Sequence, residues 1–362
     1  MEKTKIVIIQ KRIKEYRVPL FDGIGERYDT TVVGFQDPLI QGEHYTVLRL
    51  SHKYWPISLD YIWDKKLRKL LQQADVIIKP TDFRTVNHYI LKAVAPHAKQ
   101  MMFGIGVSAS YDEHYDEVDQ SAQYMKMINN SDAVIFYYAY PKNKYVKLGA
   151  APEKLFVFNN TVAVPETQLC KKPENLLFIG ELYRQKGVDV LIGQYERAYK
   201  EKHNLPNLLI VGDGAERAAL EELVQNKALN EKIRFLGKIT DDERLKEIFE
   251  TAIVTISPKQ AGLSVLKSMA FGVPFVTLEN AITGGEIFNI ENGETGVILK
   301  DENELKDLIL HCSDQLAYYT SMGEKARAFY FNNRTMAHSV QAFDEAIRYV
   351  LSDERPNARK GD

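Results

Sequence analysis

The chain has 362 residues, of which 45% are hydrophobic and 27% charged, with a formal net charge of −2. That length exceeds one ordinary core and suits two domains of roughly 150 to 200 residues each. The near-neutral balance gives no bulk electrostatic case for nucleic acid as a partner.

The charge is divided unevenly. Up to Cys170 there are 22 basic and 19 acidic residues; beyond it there are 25 and 30. A slightly basic first half fits an anionic acceptor or lipid headgroups, and drift between the halves fits equally well. Cys170 and Cys312 have neither metal-ligand spacing nor a disulfide framework, so a reducing compartment is expected. The opening run Ile6-Val7-Ile8-Ile9 is too short for a signal peptide before Lys11 and Arg12 return. No apolar run approaches the roughly 18 residues of a spanning helix. The expectation is a cytoplasmic protein whose membrane contact, if any, is peripheral at the inner face of the cell membrane.

In chain order, short apolar runs alternate with helical patterns, the signature of parallel sheets covered by helices. Strands are expected at 5–10, 31–35, 75–79, 100–103, 132–138 and 155–159. A polar stretch bracketed by Pro165 and Pro173 reads as an interdomain linker. The alternation then restarts, with strands expected at 175–179, 208–211, 233–236, 253–256, 274–278 and 296–299. Helical patterns cover 188–200, 215–225, 241–251 and 263–270, and 302–350 is almost wholly helical in pattern. Thr240 with Glu243 three residues on reads as a capping box for the third of these helices. Two open parallel sheets joined by a linker imply an α/β protein with a cleft between two doubly wound halves. Ligands then belong beyond the carboxyl ends of the strands.

The loops at those positions are suggestive in the second half. Gly180-Glu181-Leu182-Tyr183-Arg184-Gln185-Lys186-Gly187 places a glycine turn and a lysine before a helix, where N–H groups and the helix dipole favour a phosphate. Gly212-Asp213-Gly214 allows tight turning and close backbone approach. Gly237-Lys238-Ile239 exposes backbone that could pair with a base edge. Ser257-Pro258-Lys259-Gln260-Ala261-Gly262-Leu263-Ser264 presents small residues at a helix start, a diphosphate cradle by geometry. A solvated helix entry or a plain strand-to-helix turn is the commoner reading of each loop taken alone. Their order and spacing together are not commonplace.

The run from Asn175 to Lys300 resembles the C-terminal domain of the retaining glycosyltransferases of family four, which have the GT-B fold of two Rossmann-like domains. The matching pieces are Phe178-Ile179-Gly180 with Lys186-Gly187, Ile210-Val211-Gly212-Asp213-Gly214, Phe235-Leu236-Gly237, and Ser257-Pro258 through Gly262-Leu263 to Ser268-Met269-Ala270-Phe271-Gly272-Val273-Pro274. Gly284-Gly285-Glu286 and Asn292-Gly293 with Gly296 close the pattern. The first half matches more loosely, through Tyr16-Arg17-Val18-Pro19-Leu20-Phe21 and Asn159-Asn160-Thr161.

The resemblance implies an acceptor-binding domain at 1–167 and a nucleotide-sugar-binding domain at 173–334, with a terminal helix at about 335–352 packing back on the first. It implies that Lys186 contacts the donor diphosphate, that the N–H groups of 261–264 hold phosphate oxygens, and that Gly237, Lys238 and Ile239 lie against the base. Gly180, Gly212 and Gly214 join the donor site on the same ground. Transfer would proceed with retention and without a metal or other cofactor, the charge on the departing diphosphate being met by fixed N–H dipoles and Lys186.

Several side chains depart from the family. Glu181 stands where members carry arginine, and Arg184 is placed to reach the same phosphates. The two glutamates that face the transferred sugar and the ribose are replaced by Gln260 and Lys267. Gln260 keeps a carbonyl acceptor for sugar hydroxyls, whereas Lys267 can only donate. On the acceptor side, Phe103-Gly104-Ile105-Gly106 has Ile105 where many relatives have histidine. Gly104-Ile105-Gly106-Val107-Ser108-Ala109 also mimics a dinucleotide fingerprint, but no helical pattern with a placed acidic residue supports a dehydrogenase.

Arg17, with Lys11, Arg12 and Lys14, could meet an acceptor phosphate, and His114 or Asp112 an acceptor hydroxyl; solvated side chains are the plain alternative. Trp55 and the basic stretch from Trp63 to Leu71 read as an amphipathic surface helix or as a face against a bilayer. The expected activity is transfer of a sugar from a nucleoside diphosphate sugar to a glycan or lipid-linked glycan. The replaced side chains keep a non-catalytic GT-B scaffold or regulatory subunit open as the alternative, and a GT-B epimerase or phosphorylase as a third.

Overall fold

The structure is a computed structural model that describes residues 3–50, 60–81, 88–107 and 117–352. The chain forms two compact units. Of the described residues, one comprises those up to Ala163 together with the segment from Met336; the other comprises Val164–Thr335.

Among the described residues the first unit has seven strands: β1 (Lys5–Gln10), β2 (Asp29–Gly34), β3 (Thr46–Arg49), β4 (Val76–Pro80), β5 (Lys99–Gly104), β6 (Ala133–Phe136) and β7 (Leu155–Val157). Their order is β3-β2-β1-β4-β5-β6-β7 and every pairing is parallel. Its helices are α1 (Val18–Arg27), α2 (Asp60–Trp63), α3 (Lys65–Gln73), α4 (His88–Val94), α5 (Ala122–Asn130) and α6 (Ala139–Lys147). Parallel sheets bury both faces, so their strands read as nearly continuous apolar runs. Accordingly Ile6, Ile8, Val76, Ile78, Met101 and Phe103 face one core, while Val7, Ile9, Val33 and Ile77 face another.

The second unit repeats the plan. Its strands are β8 (Asn175–Ile179), β9 (Asn207–Val211), β10 (Ile233–Gly237), β11 (Ala252–Ile256), β13 (Phe275–Leu278) and β15 (Gly296–Leu299), in the order β10-β9-β8-β11-β13-β15, all parallel. Two short strands, β12 (Gln260–Ala261) and β14 (Ile282–Thr283), form a separate ladder. The covering helices are α7 (Val188–Glu201), α8 (Arg217–Asn226), α9 (Asp242–Thr251), α10 (Ser264–Ala270), α11 (Glu302–His311) and α12 (Leu316–Asn333). Counted within the unit, the six strands run 3-2-1-4-5-6. The order therefore reverses between β8 and β11, where ligands of open α/β sheets bind.

The last helix, α13 (Met336–Leu351), belongs to the first unit. Its Phe343, Ala346, Ile347 and Val350 pack with Phe21, Ile24 and Phe158. Asp344, only 2% exposed, fastens this helix by accepting from the Tyr28 hydroxyl at 2.7 Å and pairing with Arg27 at 2.9 Å and Arg348 at 2.8 Å. Burial and the neighbouring carboxylate push the Tyr28 hydroxyl up to about 12. Asp344→Ala leaves that hydroxyl and two guanidinium groups without their buried partner. It is expected to cost about 2–3 kcal/mol and to speed hydrogen exchange in α13 selectively.

Residues between Val164 and Pro173, expected as a linker, lie along the second unit. The Lys172 N–H donates to Glu250 O at 2.9 Å and the Glu174 N–H to Thr251 O at 2.8 Å. Lys171 Nζ reaches Phe249 O at 3.0 Å and Phe271 O at 2.6 Å. Phe271 O follows α10 and lacks an i+4 partner, so the lysine satisfies a group that the helix leaves open, while Phe249 O also accepts from the Ala252 N–H.

One sequence reading needs correction. The cap of α9 is Asp241, whose side chain accepts from the Arg244 N–H at 2.8 Å, and not Thr240. The carboxylate one residue later meets the N3 amide directly. The stretch from Trp63 is interrupted by Asp64, which caps α3 by accepting from the N–H groups of Lys66 and Leu67. Leu67 and Leu71 are buried there and Trp63 is half exposed, the pattern of an amphipathic surface helix. Among the described residues no helix is long and apolar enough to cross a membrane.

Candidate functional site

At the carboxyl ends of β8, β9 and β10, three loops are drawn together by their own backbone. The Gly180 N–H donates to Val211 O at 3.0 Å, and the Gly212 N–H to Gly237 O at 2.8 Å. Leu182 N–H donates to Asp213 O at 2.9 Å. A Cβ on Gly212, whose φ is +146°, would lie 1.8 Å from Gly180 O, and one on Gly214 would lie 2.3 Å from Leu182 O. The close approach that these glycines permit is therefore between neighbouring loops of the protein itself.

Lys186 is the best-defined charged group in this cluster. A short 3-10 turn, Arg184–Lys186, ends at Gly187, whose φ of +69° lets the chain enter α7. The turn carries the Lys186 side chain inward until it is 8% exposed. Its ammonium lies against the backbone of both Gly180 and Gly262, since Cβ atoms built there would stand 3.7 and 3.8 Å from Nζ. It also sits 5.6 Å from the centre of the Tyr183 ring. Burial lowers its pKa to about 8, against the opposing pull of Glu286 and Glu181.

Glu286 is 6% exposed and accepts from the Gly284 N–H at 2.9 Å. The sequence placed it loosely; the structure puts it in electrostatic reach of Lys186. Glu181 is exposed, so its charge is turned to solvent, which softens the repulsion that its position beside a phosphate would bring.

The loop after β11 is shaped by hydroxyls. Ser257 Oγ donates to Gln260 O, and Thr277 Oγ1 to Ser257 O, each at 2.8 Å. The small β12–β14 ladder then fixes Gln260 and Ala261 beside Ile282 and Thr283. Gln260 Oε1 accepts from the Tyr183 hydroxyl, which ties this loop to the one carrying Lys186. Ala261 is fully buried; Gly262, Leu263 and Ser264 are partly exposed at the start of α10. The first N–H groups of a helix have no i−4 carbonyl, and Ser264 Oγ is buried with no hydrogen-bond partner among the described residues.

The other expected donor residues divide. Lys267 is partly buried, its ammonium held below the usual lysine value by desolvation despite the pull of Asp242 at the start of α9. Lys238 is exposed, and Ile239 packs its side chain against the core around Leu245 and Phe249. Gly237, with φ of +74°, has its carbonyl engaged by Gly212. Arg184 is exposed and lines a pocket with Lys259 and Lys300. The sequence did not single out Arg217, which stands 3.5 Å from a Cβ built on Gly237 and is paired with Asp213 and Glu221. Its i,i+4 spacing to both acids was the available signal.

On the acceptor side, Arg17 is 5% exposed and sits within 5.5 Å of the centres of the Tyr16, Phe103, Tyr137 and Phe158 rings. Its buried Nη2 has no hydrogen-bond partner among the described residues. Lys11, Arg12 and Lys14 are exposed. Gly104 packs on Thr81, and Ile105 is partly buried between it and Gly106. His114, Asp112, Ser108, Ala109 and Trp55 lie outside the described residues.

The family described as "Glycosyl transferases group 1" matches residues 162–329. The chain is 24% identical over 340 residues to an uncharacterized glycosyltransferase of Methanocaldococcus jannaschii, covering 90% of this chain and 74% of that one. It is 25% identical over 182 residues to the N-acetyl-alpha-D-glucosaminyl L-malate synthase of Bacillus anthracis, covering 50% of this chain and 46% of the synthase. For several curated relatives the match spans about half of the relative's own length. Among solved structures, Anabaena HepE in complex with UDP superposes with a TM-score of 0.72 at 15% identity, covering 95% of this chain and 99% of that one. The segment 162–329 is a glycosyl transferases group 1 domain, and the chain that carries it has the GT-B fold.

Proposed function

We propose that this protein transfers a sugar from a nucleoside diphosphate sugar to a glycan or lipid-linked glycan acceptor, with retention of anomeric configuration. The observation that carries the reading is Lys186. A lysine that stays cationic at neutral pH while only 8% exposed, against glycine backbone of two converging loops, is built to meet an anion. The donor diphosphate would lie between Lys186 and the start of α10, with Ser264 Oγ and the N–H groups of 261–264 on its oxygens. Gly180, Gly212 and Gly214 would shape the floor, and Gly237, Lys238 and Ile239 would border the base.

Gln260 would hold the transferred sugar and Lys267 the ribose or phosphate side. No metal is required in this reading, because Lys186 and fixed dipoles stabilise the leaving group. Arg17, Gly104, Ile105 and His114 remain acceptor-side proposals. A cytoplasmic site of action with peripheral membrane contact belongs to the same proposal.

Binding and release of nucleoside diphosphate from UDP-glucose, UDP-N-acetylglucosamine and GDP-mannose, with and without EDTA, tests it. Turnover of at least one donor that survives EDTA is the expected result. The hydrogen bond from Tyr183 to Gln260 favours a second reading, a non-catalytic GT-B subunit, because it occupies the acceptor oxygen that a sugar hydroxyl would use. Absence of turnover of every donor would overturn the transferase reading and select this one, whether or not UDP or GDP binds, since a scaffold need not bind either nucleotide.

A further inference from the structure

The carboxyl ends of β13 and β15 border a second pocket in the same unit, of about 540 Å³. Its polar lining includes Arg184, Lys259, Lys300, Asn280, Asp301 and Glu302. The two acids are already engaged. Asp301 Oδ1 accepts from the N–H groups of Asn303 and Glu304 at 2.7 and 3.1 Å, capping α11, and Glu302 Oε2 accepts from Gln194 Nε2 at 3.3 Å.

The three cations are not. Among the described residues, none of their side chains has a hydrogen bond or ion pair. Like charges do not converge without cost, whereas Lys306 in the same unit is paired with Glu201 at 2.8 Å. Lys259 is also held in place. Its stem lies against Gly187, where a Cβ would stand 2.7 Å from Cγ, and its carbonyl accepts from the Ile282 N–H at 2.8 Å.

We propose that this pocket is a second binding site, separate from the Lys186 site, for a phosphate monoester carried by a sugar. The phosphate is met by Arg184, Lys259 and Lys300, and the sugar hydroxyls by the Asn280 amide and the outward oxygens of Asp301 and Glu302. Charge-assisted bonds from several cations suit a dianion, and carboxylates beside them suit hydroxyl donors rather than a second anion. The volume falls in the range of about 300–1,000 Å³ typical of small-ligand sites, which inorganic phosphate would leave largely empty. The inference does not rest on donor transfer at Lys186.

Calorimetry on the full chain tests it with mannose 6-phosphate, mannose and inorganic phosphate. Mannose 6-phosphate is expected to bind more tightly than either fragment. Lys300→Ala and Lys259→Ala should each weaken it tenfold or more, and Lys300→Ala should change UDP affinity less than twofold. A mannose 6-phosphate-terminated oligosaccharide distinguishes the source. Binding of the monosaccharide alone assigns a free sugar phosphate, and binding of both assigns the end of a phosphorylated glycan. No binding by wild type, unchanged affinity in both variants, or displacement of mannose 6-phosphate by UDP would overturn the proposal.

Discussion

Lys186→Met is expected to lower nucleotide-sugar turnover by about 10²–10³-fold, the usual loss when one preorganised charge-stabilising donor is removed, while making the protein more stable. The second half of that expectation follows from burial. The Lys186 ammonium titrates near 8 in the folded protein against an ordinary 10.5. Between those values the unfolded chain holds a proton that the folded chain has released, so stability rises with pH across that window. Below pH 8 the cost of the buried charge is fully present, and the interval is worth about 3 kcal/mol. Methionine fills similar space without the charge. Urea denaturation at pH 7 should therefore show the variant more stable by up to about 3 kcal/mol, and flatter than wild type between pH 8 and 10.5. A variant less stable than wild type at pH 7 would mean that the attraction of Glu286 and Glu181 outweighs desolvation.

The same group gives binding a proton signature. A diphosphate beside Lys186 favours the ammonium, so UDP binding at pH 8.5 should take up a proton fraction that Lys186→Met does not. Calorimetry in two buffers of different ionisation enthalpy reads that fraction directly. Equal uptake in both proteins would remove Lys186 from the diphosphate. Activity loss joined to a stability gain separates a functional residue from a structural one, since a packing residue loses both.

What was legible in the sequence follows from which forces act locally. Strands such as β1, β8 and β15 were readable to the residue because a parallel strand must be apolar on both faces and ends where glycine or charge returns. The edge strand β3 was missed, since Thr46–Arg49 is only partly buried and lacks that contrast. The β12–β14 ladder was missed for another reason. Gln260 and Ile282 pair across 22 residues, and two-residue strands have no periodicity of their own.

At the site, motif spacing located Lys186 and the loop before α10, because glycine, lysine and helix start occur within a few residues. It could not show that Arg184, two residues from the buried Lys186, is exposed and lines a pocket with Lys259 and Lys300, because a 3-10 turn sets the burial of each residue separately. Nor could it show that Glu286 comes to Lys186, since that meeting depends on how β11 and β13 lie in the sheet.

The glycines sharpen the same point and give the second large effect. Gly212 in a strand-to-helix turn invites the reading that backbone approaches a ligand, yet the structure fills that space with Gly180. In Gly212→Ala the new methyl would fall 1.8 Å from a backbone oxygen that is fixed by the sheet on one side and by the Lys186 turn on the other. A side chain could rotate away; a carbonyl in this setting cannot move without parting β8 from β9. The φ of +146° adds a conformational cost for any residue with a Cβ.

The expected loss is more than about 3 kcal/mol of stability in the second unit, read as a lower urea midpoint and as faster amide exchange in β8 and β9, with exchange in β1 and β4 unchanged. Gly193→Ala is the control. It lies within α7 with nothing within 4 Å of an added Cβ, so it should stabilise by about 0.5–1 kcal/mol. If Gly212→Ala instead unfolds as wild type does and only UDP binding falls, the glycine serves the ligand, and the loop contact with Gly180 is loose enough to yield.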